Sequence, residues 1–259
     1  MIRLRTDFFA ESLGMGTSMN VLMPQAAAGI GMVGGGPDTG PGDGVPVLYL
    51  LHGLSDDCTI WERRTAIERY ASEKGIAVVM PEVRRSFYCD EVYGEAYWTF
   101  ISEELPQLLA RTFRVSTARE DTFVAGLSMG GFGAFKLALN RPDRFAAAAS
   151  LSGAVDMLGD RIFEAEDPLA QRIWGGRELA GTADDLVGLV RAADPRTLPQ
   201  LFLDCGTEDF LVNQNRAFLA AAEESGVAVT SRLRPGDHAW EFWDTGIQDV
   251  LDWLPIRTA

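Results

Sequence analysis

The sequence predicts an α/β fold in which a mostly parallel sheet of about eight strands has helices on both faces. Short continuous apolar runs, typical of strands covered on both faces, recur along the chain. They lie at residues 46–51, 76–80, 121–125, 145–151 and 201–203. Stretches with helical spacing separate them, as in β-α-β units. The 259 residues, 47% of them apolar, suffice for one sizeable core, and we expect a single domain over residues 1–259.

The chain opens with two strand-like segments, 3–12 and 16–25, which a turn at Gly14–Gly16 can join as an antiparallel hairpin. Residues 26–44 are rich in Ala, Gly, Asp and Pro, a composition that predicts a flexible loop. Neither a P-loop lysine nor a dinucleotide-binding spacing follows these glycines. Phosphate binding is therefore not indicated.

The helical stretches vary in regularity. Trp61–Lys74 has helical spacing and can end at Gly75, whereas Pro106 should bend or divide a helix over Trp98–Phe113. Residues 154–198 hold short helical pieces without long apolar runs, and we expect a small cap over the strand ends there, the alternative being an ordinary surface excursion. The chain then closes with a helix at 211–225, a strand at 227–233 and a helix at 241–254.

Charge and cysteine content limit the classes of function. The net charge of −14 disfavours nucleic acid and anionic membranes as partners, and it favours a neutral or cationic small molecule. Three cysteines without a CxxC pair signal neither a disulfide framework nor a zinc site. The charged N-terminal residues predict a cytoplasmic protein. The sequence does not determine the oligomeric state and allows a homo-oligomer.

One motif carries the chemistry. Gly126-Leu127-Ser128-Met129-Gly130-Gly131 follows an apolar strand and precedes a helix-like stretch. In that context a Gly-x-Ser-x-Gly motif forms a nucleophile elbow, a sharp turn that holds the serine hydroxyl clear of the backbone. We therefore expect Ser128 to be a nucleophile.

A nucleophilic serine needs a base, and the chain has two histidines, His52 and His238. When a Gly-x-Ser-x-Gly elbow belongs to an α/β-hydrolase, the order along the chain is serine, acid, histidine. Only His238 lies after Ser128. We therefore expect His238 to be the base and His52 to have a structural role.

The acid that orients the base is expected at the carboxyl end of a parallel strand. Asp204, Glu208 and Asp209 lie at or just beyond such an end. Asp204 continues the strand, whereas Asp209 comes after the turn at Gly206 and can reach the His238 loop. We predict Asp209 as the acid, with Glu208 as the alternative.

Acyl transfer also needs hydrogen-bond donors for the oxyanion. One is the backbone N–H of Met129, the residue after the nucleophile, and the second is expected from the loop after the third strand. In His52-Gly53-Leu54, Gly53 permits close approach and Leu54 can donate its N–H.

Seven segments carry a family resemblance: 18–22, 51–54, 85–88, 97–106, 126–131, 205–211 and 238–240. In these segments the chain resembles the esterase D-like family of α/β-hydrolases, and most closely its tributyrin-esterase branch. That branch is related to the S-formylglutathione hydrolases and the antigen 85 mycolyltransferases. The resemblance implies Ser128, Asp209 and His238 as a triad, with Leu54 and Met129 as oxyanion donors. Residues 26–44 form a longer segment than that branch leads us to expect.

The expected function is a serine carboxylesterase that hydrolyses short-chain acyl esters without a metal or cofactor. A thioesterase such as an S-formylglutathione hydrolase, a carbohydrate acetyl esterase or an acyltransferase could use the same triad. A non-catalytic binding protein would not need all of these groups together. Three aromatic residues near the expected mouth, Trp61, Tyr88 and Trp240, are candidates for the substrate pocket, with a role in the core as the alternative.

Overall fold

The central element of the fold is an eight-stranded sheet. The computed structural model describes residues 1–25, 44–160, 162–164 and 166–257, so the loop predicted at residues 26–44 lies outside the described residues except for its last member. The described strands are β1 (Ile2–Ala10), β2 (Met15–Met23), β3 (Val47–Leu51), β4 (Ala77–Pro81), β5 (Thr122–Leu127), β6 (Ala147–Leu151), β7 (Gln200–Gly206) and β8 (Val229–Arg234).

The strand order is β1-β2-β4-β3-β5-β6-β7-β8. β1 and β2 form the predicted antiparallel hairpin, and β2 pairs antiparallel with β4. Every other neighbouring pair is parallel. The predicted mostly parallel α/β sheet is therefore confirmed.

Helices cover both faces of the sheet, as predicted. The α-helices among the described residues are α1 (Ile60–Arg64), α2 (Ile67–Lys74), α3 (Tyr97–Thr99), α4 (Leu105–Thr112), α5 (Met129–Asn140), α6 (Pro168–Trp174), α7 (Leu186–Ala192), α8 (Val212–Ser225) and α9 (Trp240–Trp253). Side chains of α1, α2 and α9 join Phe123 and Ala125 of β5 in one apolar cluster. Val124, which points the other way, packs with α4, α5, α7 and α8.

The single helix predicted over Trp61–Lys74 is wrong, because Thr65 interrupts it. Thr65 has an extended backbone, with φ −136° and ψ 171°. Its hydroxyl donates to the Trp61 carbonyl oxygen at 2.6 Å and accepts from the Ile67 N–H at 3.2 Å. Thr65 thus satisfies one group at the end of α1 and one at the start of α2, and Gly75 ends α2 in the left-handed conformation, as predicted.

Pro106 does not divide its helix, because helical backbone runs unbroken from Tyr97 to Thr112; the alternative, a bend, stays a prediction. Pro106 lies in the first turn of α4, directly after a π-helical turn at Phe100–Glu104. Because proline lacks an N–H, it removes one hydrogen bond from the α-helical pattern. The wider turn before it keeps the chain helical while the hydrogen-bond pattern changes.

Residues 154–198 contribute α6 and α7 in the region predicted to be a cap. Asp167 and Asp185 cap these helices by accepting hydrogen bonds from backbone N–H groups of the first turn. α7 packs on α5 and α8. The covering role of this segment and the single-domain organisation stay predictions. None of the helices in the described part of the chain has the length and apolarity that a membrane span requires.

Candidate active site

The carboxyl ends of the parallel strands meet at one edge of the sheet, and the predicted site residues lie there. β3 leads into His52, β5 into Ser128 and β6 into Ser152. β7 leads into Asp209 and β8 into His238 within a few residues. This is where open α/β sheets place their functional groups.

Ser128 lies in a strained turn between β5 and α5. Its φ is 53° and its ψ is −118°, a conformation that non-glycine residues rarely adopt. The two glycines of the motif make the turn fit. A Cβ atom on Gly126 would lie 2.3 Å from the Gly130 carbonyl oxygen, and one on Gly130 would lie 2.4 Å from the Leu51 carbonyl oxygen. Strain of this kind is held where surrounding contacts over-determine it, often at active sites.

Ser128, His238 and Asp209 form one hydrogen-bonded chain. The His238 Nε2 atom lies 3.0 Å from Ser128 Oγ, and its Nδ1 atom lies 2.8 Å from Asp209 Oδ2. The structure therefore brings together the three residues that the sequence selects. The arrangement places a base on the serine hydroxyl and a carboxylate on the far nitrogen of that base.

The Asp209 carboxylate is buried, with 2% of the residue exposed, and each of its oxygens has a hydrogen-bond partner. Its other oxygen accepts from the Leu211 N–H at 2.8 Å, and the Ser152 hydroxyl acts on the same carboxyl group. Burial acts to raise the pKa of Asp209, but these donors together with His238 hold that pKa below its ordinary value. Asp209 is thus kept ionised where it can stabilise a protonated imidazole.

The alternative acid, Glu208, is directed elsewhere. Its carboxylate accepts from the Gly236 N–H at 2.6 Å, and its own N–H donates to the Gly236 carbonyl oxygen at 3.0 Å. Glu208 therefore fastens the loop that carries His238. Asp204 is fully buried and pairs with Arg234 at 2.8 Å. Of the three candidate acids, Asp209 is the one that contacts the imidazole.

Three consecutive carbonyl groups hold the segment that precedes Leu54. The Leu51 carbonyl accepts from the Trp61 indole at 3.1 Å, and the His52 carbonyl accepts from the Tyr88 hydroxyl at 2.9 Å. The Gly53 carbonyl oxygen lies 2.8 Å from the Nδ1 atom of His52 itself. With these three bonds, the peptide planes of the loop after β3 are held in place.

The tautomer of His52 follows from its neighbours. The Val83 N–H donates to the Nε2 atom of His52 at 3.1 Å, so Nε2 carries a lone pair. Nδ1 then carries the hydrogen and donates to the Gly53 carbonyl oxygen. His52 is buried and makes no contact with Ser128 in the described hydrogen bonds, which fits the structural role expected for it.

Gly53 brings this loop close to the serine. A Cβ atom on Gly53 would lie 3.8 Å from Ser128 Cβ and 2.7 Å from Leu127 Cδ1. In a trans peptide the Leu54 N–H points opposite to the Gly53 carbonyl, so the bond from His52 also sets the direction of that N–H. Met129 begins α5, where backbone N–H groups have no acceptor within the helix. Both predicted oxyanion donors therefore belong to segments beside Ser128.

Two of the three candidate pocket residues are buried. Trp61 and Tyr88 are at most 1% exposed, and both serve the oxyanion segment through the hydrogen bonds described above. Their rings thus offer no open surface to a substrate, in contrast to the predicted pocket role. Trp240 is half-buried and meets the Trp61 ring edge-to-face, with 5.3 Å between the ring centroids.

Three residues around His238 were not predicted from the sequence. The Phe210 ring packs on the imidazole in a tilted arrangement, with 4.6 Å between the ring centroids, and Trp243 meets the imidazole edge-to-face at 4.8 Å. The Trp243 indole also donates to the Ser152 hydroxyl at 3.2 Å. Ser152 has a φ of 48° and follows β6 directly. Its place at the carboxyl end of a parallel strand was the one signal that could have identified it.

The cysteines offer no rival nucleophile. Cys58, Cys89 and Cys205 are all reduced and buried. Cys205 is the one nearest the triad, and burial together with the charge of Asp209 raises its pKa to about 12. Because the thiolate is the reactive form of cysteine, this thiol is inert at neutral pH.

Fold and site together make the protein an α/β-hydrolase. The family model described as "Putative esterase" matches residues 36–254, and the chain belongs to that family. It is an ester-cleaving serine hydrolase.

Relatives of this chain are known by sequence. It is 29% identical over 223 residues to an acetyl esterase of Caldicellulosiruptor saccharolyticus, covering 82% of this chain and 84% of that protein. It is also 29% identical over 240 residues to the diacylglycerol acyltransferase/mycolyltransferase Ag85B of Mycobacterium intracellulare, covering 78% of this chain and 72% of that protein.

Solved structures of serine hydrolases also match this chain. FphF, a fluorophosphonate-binding serine hydrolase of Staphylococcus aureus, superposes with a TM-score of 0.87 at 32% identity over 98% of both chains. The S-formylglutathione hydrolase FrmB of Staphylococcus aureus has a TM-score of 0.84 at 32% identity over 98% of both chains.

Proposed function

We propose that the protein is a serine carboxylesterase that hydrolyses short-chain acyl esters through Ser128, His238 and Asp209. The observation that carries the proposal is the hydrogen-bonded chain from the strained Ser128 through His238 to the buried Asp209. A serine hydroxyl becomes a nucleophile when a positioned base takes its proton as it attacks.

The reaction has two halves. His238 Nε2 takes the proton of Ser128 as Oγ attacks the ester carbonyl, and the N–H groups of Leu54 and Met129 bind the resulting oxyanion. His238 then gives that proton to the leaving alcohol, which departs and leaves an acyl-serine. A water molecule activated by His238 attacks the acyl-serine, and its collapse returns the carboxylic acid and free Ser128. Asp209 stabilises the imidazolium in both halves.

The preference for short acyl groups and for simple esters is supported by the relative described as an acetyl esterase. Three other expectations remain part of the proposal: membership of the tributyrin-esterase branch, a small-molecule ester as the substrate, and a cytoplasmic location.

An S-formylglutathione hydrolase is the second candidate, since FrmB superposes at a TM-score of 0.84. It would use the same three residues and the same oxyanion donors, with a thiol as the leaving group. The two candidates therefore differ in the leaving group rather than in the machinery. Transfer of the acyl group to an alcohol instead of water, the reaction type named for Ag85B, is a further variant.

The test is hydrolysis of p-nitrophenyl acetate, butyrate and longer esters by the wild type, by Ser128→Ala and by the matched control Ser231→Ala, whose serine is exposed on β8. We expect the wild type and Ser231→Ala to cleave the shorter esters and Ser128→Ala to be inactive. Equal rates for Ser128→Ala and the wild type would refute the proposed nucleophile. S-formylglutathione and an acetylated sugar in the same assay separate the alternative substrates.

A further inference from the structure

An exposed aromatic ring covers the candidate base. Phe210 is 66% exposed, although both of its neighbours along the chain, Asp209 and Leu211, are buried. Its ring lies on the His238 imidazole at 4.6 Å, with an angle of 51° between the two planes. The hydrogen bond from the Leu211 N–H to Asp209 holds this turn, so the ring is presented from a fixed backbone.

The proton transfer in ester cleavage determines which part of a substrate lies next to the Phe210 ring. In ester cleavage the imidazole passes its proton to the oxygen of the departing alcohol, so that oxygen must lie within hydrogen-bond reach of His238 Nε2. The group attached to the oxygen then lies beside the imidazole, where Phe210 offers an apolar face. The acyl group, by contrast, is fixed by its bond to Ser128 and by the oxyanion donors.

The residues that precede Asp209 and His238 in the chain are both acidic. Glu208 precedes Asp209, and Asp237 precedes His238; both carboxylates are on exposed residues. The hydrogen bond from the Gly236 N–H lowers the pKa of Glu208, so this group is ionised at neutral pH. The cations of the neighbouring strand are already paired, Arg232 with Asp249 at 2.7 Å and Arg234 with Asp204 at 2.8 Å. An anionic leaving group would meet repulsion here.

We infer that Phe210 forms a leaving-group subsite that selects uncharged, planar or apolar alcohols and disfavours anionic ones. This inference rests on the proposed esterase function and extends it to the alcohol side of the ester. It also separates the two candidate functions, because glutathione carries carboxylates and would be a poor leaving group for this subsite.

The first experiment compares esters that share one acyl group. Phenyl acetate and 2,2,2-trifluoroethyl acetate form the same acetyl-enzyme, so kcat/KM reports the step in which the alcohol leaves. We expect Phe210→Ala to lower kcat/KM for phenyl acetate about five- to tenfold more than for trifluoroethyl acetate, and Phe210→Leu to lie between. The control is Phe9→Ala, whose ring is 60% exposed on β1, and it should leave both values unchanged.

The second experiment varies charge on one aromatic scaffold. We expect 3-acetoxybenzoate, which is anionic, to be cleaved with a lower kcat/KM than phenyl acetate at low ionic strength. Added salt should narrow the gap, and Asp237→Asn should narrow it by about twofold.

The outcomes are separable. If Phe210→Ala lowers kcat/KM equally for both acetates, the ring acts on the imidazole and not on the substrate, and the subsite is overturned. If Phe210→Ala lowers kcat/KM for neither acetate, the subsite is also overturned. A wild type that prefers 3-acetoxybenzoate would overturn the charge selection. If the wild type cleaves none of the three esters, the esterase proposal itself fails.

Discussion

The Nδ1 nitrogen of His52 lies 2.8 Å from the carbonyl oxygen of Gly53. Since this carbonyl and the Leu54 N–H share one peptide plane, the bond directs the N–H assigned to the oxyanion. A buried histidine that never touches the reacting atoms thereby controls a group that does. Loss of this hydrogen bond should therefore lower kcat, and stability measurements can distinguish this loss of activity from a loss of folding.

Two substitutions at His52 each keep a different one of its two hydrogen bonds. Asparagine carries an N–H near the Nδ1 position and can keep the bond to Gly53, whereas glutamine reaches the Nε2 position and can keep the bond from Val83. We expect His52→Gln to lower kcat about 100-fold with little change in KM, and His52→Asn to stay within about tenfold of the wild type. Thermal unfolding of both variants checks that they fold. Equal activities at equal stability would argue against this positioning role.

The two neighbouring acids should behave differently. Asp209→Asn should lower kcat by about 10⁴, because an amide cannot stabilise the protonated imidazole and can favour the wrong tautomer. Glu208→Gln should keep kcat within about tenfold, since the glutamine oxygen can still accept from the Gly236 N–H. Steady-state kinetics on a p-nitrophenyl ester measures both, and a large loss in Glu208→Gln alone would transfer the role of the acid to that residue.

Asp209 should also contribute to stability in a pH-dependent way. Its pKa in the folded protein lies below the ordinary value of 3.8, so its contribution is present above that pH and is lost as pH falls through the lower value. The free energy of unfolding should therefore differ more between wild type and Asp209→Asn at pH 5 than at about pH 3. Urea titrations at both pH values measure this difference. A gap that stays constant would show that the ionised form gains nothing from folding.

Lys136 provides a test of the scaffold behind the site. Its buried ammonium donates to the Tyr88 carbonyl at 2.9 Å and pairs with Asp184 at 2.6 Å. Lys136→Met should cost about 3–5 kcal/mol, because it removes a buried ammonium and leaves the partly buried Asp184 carboxylate without its cationic partner. The control is Lys74→Met, which breaks an exposed pair with Asp252 at 2.7 Å and should cost less than about 1 kcal/mol. Similar losses of unfolding free energy in both variants would contradict the buried pairing.

Much of the fold could be predicted because burial leaves a direct trace in the sequence. The strands that are covered on both faces are uninterrupted apolar runs, and β3, β5 and β6 lie within one or two residues of their predicted bounds. The break at Thr65 leaves no such trace. Apolar residues keep their helical spacing across it, and only the hydroxyl bonds of Thr65 in the folded chain separate α1 from α2.

The site likewise contains residues that could be identified from the sequence and residues that could not. Ser128 and His238 could be selected because the motif is local and histidines are scarce. Choosing Asp209 over Glu208 required the direction of two adjacent side chains in one turn, which depends on how the loop of Gly236 packs against them. Phe210 could not be selected, because its contact with His238 depends on how segments far apart in the chain pack together, and for Ser152 the one signal was its place directly after β6.

The central claim is that Ser128 becomes acylated. The most direct measurement is intact-protein and peptide mass spectrometry after rapid acid quench of the enzyme with p-nitrophenyl acetate. We expect one acetyl group per chain, located on the peptide that contains Ser128, appearing with the burst of p-nitrophenol and lacking in Ser128→Ala. An acetyl group on another residue of a turning-over enzyme, or a full burst from Ser128→Ala, would contradict the account.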